Sequence, residues 1–123
     1  MKYLCMVFLD ENNLAALSKR ELQDLNDESL DYNDTLQTSG HFVAAQALQS
    51  VQTAATLRAR GGEVTVTDGP FVETNEHIGG FILIEARDRN EAIQAASKIP
   101  VLRLGAVEVR PVLEITHSKE SLA

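Results

Sequence analysis

The sequence predicts an α+β domain in which two amphipathic helices cover one face of an antiparallel sheet, and three observations carry that reading. Two short runs, residues 3–9 (YLCMVFL) and 80–86 (GFILIEA), are apolar at nearly every position. Two stretches open with helix-capping signatures, Ser18 followed by Glu21 and Asp88 followed by Glu91. A glycine pair, Gly61-Gly62, separates two runs of strand-forming residues.

Residues 3–9 are too short for a helix in a core and are bounded by charge, so they read as a strand covered on both faces. After Ser18, a residue whose side chain caps free backbone N–H groups, Leu22, Leu25, Ser29, Tyr32 and Leu36 recur at helical spacing between acids and amides. The spacing predicts an amphipathic helix that ends near Gly40. Residues 41–48 (HFVAAQAL) and 51–60 (VQTAATLRAR) read as strands, and Gly61-Gly62 turns the chain tightly back into 63–68 (EVTVTD). Residues 80–86 form the next strand, and Asp88 opens a second helix over 89–99 that Pro100 follows. The last strand lies within 106–115 (AVEVRPVLEI), where Pro111 marks an edge or a bulge. A frayed tail is expected from about residue 116.

With the hairpin set aside, the order strand, helix, strand, strand, helix, strand is the split βαβ arrangement of a ferredoxin-like fold. Helices there cover only one side of the sheet, yet both long apolar runs lack a polar face. A second copy of the chain, packed sheet to sheet about a two-fold axis, would bury the remaining side. The expectation is therefore one domain over residues 1–123, carrying an inserted hairpin and dimerising as an α/β barrel.

Charge and composition remove several functions. A chain of 123 residues, 44% hydrophobic with a net charge of −7, has a core of its own but no basic stripe for a phosphate backbone, so no nucleic-acid partner is expected. The N-terminal apolar run is shorter than a signal-peptide core or a membrane span, which predicts a cytoplasmic protein with no membrane partner. Cys5 is the single cysteine and reads as a small buried hydrophobe.

The stretch "TDGPFVETNEHIGGF", residues 67–81, concentrates the candidate chemistry. Asp68 suits an Asx-turn ahead of Gly69-Pro70, and equally a carboxylate serving as general base. Should 72–78 form a helical turn, Glu73 would lie three and four residues from Glu76 and His77, close enough to orient an imidazole. Gly79-Gly80 permits a bulge or a close approach by a ligand. His41 follows the end of the first helix and is a second candidate for proton transfer beside Asp68 and His77. Arg110, next to Glu108, can pair with a strand neighbour or grip a ligand carboxylate. Asp68, Glu73 and His77 lack the spacing of a tight metal motif, and no phosphate loop or cofactor fingerprint is present, so neither metal nor cofactor is expected.

"DGPF" at residues 68–71, followed by "ETNEHIGGF" and later by "GAVEVRPV" at 105–112, resembles the DGPF group of the YCII-related proteins. The resemblance runs from the first residues to about Glu114. It implies a ferredoxin-like fold that dimerises into an α/β barrel, with a pocket at the dimer interface. For some relatives it implies a His-Asp pair, with the histidine on the first helix. Here that helix carries Tyr32, Asn33 and Asp34 and no histidine, while Asp68 matches the aspartate. The resemblance also implies a regulatory setting beside sigma factors of the extracytoplasmic-function type. Two readings follow. One is a dimeric module that binds a small molecule through Phe71, Glu73, Glu76, Gly79, Gly80 and Arg110. The other is a cofactor-free acid-base enzyme using Asp68, His77 and His41.

Overall fold

The computed structural model describes residues 1–121. Strands β1 (Lys2–Leu9), β2 (Phe42–Ala47), β5 (His77–Glu85) and β6 (Gly105–Pro111) form an antiparallel sheet in the order β2-β5-β1-β6. Strands β3 (Ala55–Arg60) and β4 (Glu63–Asp68) form a separate two-stranded sheet and, among the described residues, pair with no other strand. Helices α1 (Glu11–Ala15), α2 (Lys19–Thr38), α3 (Arg89–Ala96) and α4 (Ser118–Ser121), together with short 3₁₀ segments at Val51–Thr53 and Pro100–Leu104, are the helical elements of the described residues. This is the ferredoxin-like α+β topology with a hairpin inserted between its second and third core strands.

Capping fixes the two long helices as the sequence predicts. Ser18 Oγ accepts from Glu21 N, and Glu21 Oε1 accepts from Ser18 N, which closes the capping box of α2. At the other end Gly40 takes the left-handed conformation (φ 80°), so that Gly40 N and His41 N donate to the carbonyls of Gln37 and Leu36. Asp88 Oδ1 caps α3 by accepting from Glu91 N. Helix α1 was not anticipated: Asp10, directly after β1, caps it by accepting from Asn12 N at 2.9 Å.

The core lies between the sheet and α2 with α3. Tyr3, Cys5, Val7 and Leu9 alternate along β1 and meet Ile82 and Ile84 of β5, Leu36 of α2, Ala92 and Ala96 of α3, and Ile99. Burial pushes the Cys5 thiol up to about 11, in keeping with a packing role rather than a reactive one. Tyr32 locks the two helices together, its hydroxyl donating to the Ala95 carbonyl at 2.6 Å. On the opposite side of the sheet Leu4, Met6 and Phe8 stand beside Leu83, Phe81 and Ile78 in register, which explains why residues 3–9 are apolar at every position.

Three local expectations are corrected. Residues 51–60 are not one strand, because Ser50 caps a 3₁₀ turn and pairing starts only at Ala55. Residues 72–76 contain no helical turn. Strand β5 begins at His77, so Gly79 and Gly80 lie inside it, at a register shift opposite Val7 and Phe8. Residues 116–119 are exposed, the short α4 spans Ser118–Ser121, and residues 122–123 lie outside the described residues.

Candidate functional site

The sequence-predicted candidates fall into separate places. Asp68 ends β4 opposite Ala55, exposed, and its carboxylate makes no hydrogen bond among the described residues. The Asx-turn is therefore not formed. Instead Gly69, at φ 107°, donates its N–H to the Ala54 carbonyl and accepts from Thr56 Oγ1. Phe71 is exposed beneath the Arg58 guanidinium, 4.7 Å from the ring centroid. Glu73 and Glu76 project from the loop, while His77 turns its Nε2 toward the Val72 carbonyl at 3.2 Å. No hydrogen bond joins Asp68 to either His41 or His77 among the described residues. Arg110 on β6 stands 3.7 Å from Glu108, and Glu85 pairs instead with the N-terminal ammonium at 3.0 Å.

His41 has the most defined surroundings. Its Nδ1 is 2.7 Å from Ser39 Oγ, and its Nε2 donates to Glu91 Oε1 at 2.9 Å. Arg87 Nε donates to the other Glu91 oxygen. The Arg87 bond, then the His41 bond, hold the Glu91 carboxyl down, from the ordinary 4.5 to about 2. The group ties the end of α2 to the start of α3. A carboxyl whose folded value lies below its unfolded value stabilises the fold fully above about pH 4.5, and the contribution is lost as pH falls toward 2. In urea titrations, the wild-type midpoint should fall more steeply across that window than that of Glu91→Gln; equal slopes would remove this carboxyl from the acid limb.

A cavity of about 590 Å³ opens between α2 and the β2-β5 side of the sheet. Val7, Leu9, Ile82 and Ile99 line its apolar part, Gly79 and Gly80 its floor, and Gln23, Asn26, Ser29, Asn33 and Gln46 its polar part. None of the described side chains that line it is charged. Asn33 Oδ1 is buried and has no hydrogen-bond partner among the described residues, an arrangement that costs about 1–3 kcal/mol. The floor needs glycine for close packing: a Cβ on Gly80 would stand 2.8 Å from the Gln46 carbonyl oxygen. A second hollow of the same volume lies between α3 and β6, lined mainly by apolar residues including Ile93, Val107 and Val109. It lacks a comparable set of converging polar groups.

The polar side of the first cavity was missed in the sequence, although a signal exists. Gln23, Asn26, Leu30 and Asn33 recur at intervals of three, four and three, a second helical stripe beside the leucine stripe that points to the core. Among the described residues no three His, Cys, Asp or Glu side chains are grouped to hold a metal ion, and no helix is long and apolar enough to cross a membrane.

Sequence similarity to known proteins extends over nearly the whole chain. An uncharacterized protein of Rhizobium meliloti (strain 1021) is 34% identical over 118 residues, covering 91% of this chain and 92% of that protein. The model of the YCII-related domain matches residues 1–116, and with the ferredoxin-like sheet order this places the chain in the YCII-related family.

Proposed function

We propose that this protein binds a small uncharged molecule in the cavity between α2 and the sheet, as a homodimer paired through the outer faces of its sheets. The observation that carries the reading is the composition of that cavity. Its volume suits a small organic molecule, and amides and a hydroxyl converge on it without a single ionisable side chain. A charged ligand would lose its hydration there without gaining a counter-charge. Acid-base catalysis would need a proton donor or acceptor within reach of the substrate, and Asp68 and His77 line none of this cavity. Residues 68–71 support placing the chain in the DGPF group, and the sigma-factor association of that group gives the bound molecule the role of a signal.

Asn33→Leu tests the reading, because leucine matches the side chain in size while removing the unpaired oxygen. The variant should be more stable than wild type by about 1 kcal/mol, measured by urea unfolding. In a thermal-shift screen of neutral, anionic and cationic compounds, wild type should be stabilised by neutral compounds. The same compounds should shift Asn33→Leu less. Preferential stabilisation by anions or cations, or undiminished binding to the variant, would overturn the proposal.

A further inference from the structure

Hairpin β3-β4 carries an apolar face that no other described residue covers. The cross-strand pairs Leu57–Val66 and Ala59–Val64 share one side of the ribbon, and Thr56–Thr67, Arg58–Thr65 and Arg60–Glu63 share the other. Leu57, Val64 and Val66 are 62%, 64% and 64% exposed, while Phe71 just beyond stacks on Arg58 of the polar side. Alternation of apolar and polar residues belongs to a ribbon with one side packed, and a lone two-stranded hairpin is marginal in water. Its turn, by contrast, is well made: Gly61 and Gly62 both have positive φ, 57° and 82°, as a tight two-residue hairpin connection requires.

We infer that the arm formed by β3 and β4 lies against a second copy of this chain, on the face of the sheet turned away from the helices, and that the two copies exchange arms about a two-fold axis. The inference rests on the dimer proposed above and adds what the arm does in it.

Area and charge favour a second copy. The three exposed arm residues Leu57, Val64 and Val66 offer roughly 100–250 Å² of apolar surface at the usual area per buried side chain. A stable interface needs about 800 Å² from each partner. The arm reaches that scale only in company with another patch, and Leu4, Met6, Phe8, Phe81 and Leu83 supply one on the same chain. A two-fold arrangement uses both patches on both subunits at once. The arm is also electrically neutral, since Arg58 and Arg60 balance Glu63 and Asp68, so the net charge of −7 resides on the rest of the chain. It can therefore approach a second body without adding to the repulsion between two acidic proteins.

The test joins cysteine cross-linking to a measurement of mass in solution. Cys5 is 1% exposed and leaves a low background. Val66→Cys protein is mixed in turn with Leu4→Cys, Met6→Cys and Leu83→Cys proteins and treated with a short bismaleimide. A cross-linked pair is expected in at least one mixture, in yield well above that of either protein alone. Leu57→Asp/Val66→Asp, with an unchanged circular dichroism spectrum, should shift the mass from dimer toward monomer at least tenfold in dissociation constant. A wild-type dimer that keeps its mass after this change and cross-links in none of the mixtures would overturn the arm exchange while leaving the sheet-to-sheet dimer standing. A wild-type monomer at micromolar concentration would overturn both.

Discussion

Gly105→Ala is expected to lower the unfolding free energy by about 3 kcal/mol or more, read as a drop in the urea midpoint at unchanged slope. Gly105 opens β6 opposite Leu9 of β1, and a Cβ built there would stand 2.0 Å from the Phe8 carbonyl oxygen and 3.1 Å from the Leu9 Cα. Both are backbone atoms of a central strand, so neither can move aside by changing a rotamer. Strand β6 would have to shift away from β1. The cost is steric rather than torsional, because Gly105 has an extended φ of −167° that any residue can adopt. Gly79→Ala provides the contrast. Its added Cβ would meet only the Leu9 side chain, at 3.1 Å or more, and the loss should stay near 1 kcal/mol. Equal losses at the two positions would show that β6 yields more easily than its pairing implies.

Ile84→Ala should cost about 3–4 kcal/mol, within the range for removing a large aliphatic side chain from a core. Ile84 is 1% exposed, pairs with Tyr3 on one side and Phe42 on the other, and belongs to the cluster that joins the sheet to the helices. Domains of this size are commonly stable by about 5–15 kcal/mol, so the variant should remain folded at room temperature with a clearly lower thermal midpoint. Leu83, the neighbouring residue on the other face of β5, gives the control. If the outer face is buried between two copies, Leu83→Ala should weaken the dimer and make the melting temperature more dependent on protein concentration. A change at Leu83 that alters neither would count against pairing through that face.

Most of the frame was legible in the sequence because its signals are local. Ser18 with Glu21, Asp88 with Glu91, and Gly40 mark helix ends through hydrogen bonds that span only a few residues. Gly61-Gly62 defines a turn for the same reason. The alternation along β1 and β5 was less direct, since apolar residues on both faces reveal a strand but not which face the helices cover. Where the signal was weak, at Asp10 and around Ser50, a short polar run gave rise to a helical turn that the strand pattern concealed.

The candidate site was less legible, because it joins residues far apart in the chain. Within 67–81 the sequence shows an aspartate, two glutamates and a histidine close together. Strand pairing then places Asp68 at the end of the arm and His77 at the start of β5, where its ring reaches the Val72 carbonyl. His41 met Glu91, fifty residues away, because α2 ends where α3 begins. The cavity came from Gln23, Asn26 and Asn33 facing Gly79, Gly80 and Gln46 across the layer between helix and sheet. The sequence by itself determined the elements, their caps and turns, and the presence of more apolar strand surface than one chain buries. Only the tertiary structure decided which polar residues share a space, since hydrogen-bond reach is a few ångströms while the pairing that brings those residues together depends on packing of the whole sheet.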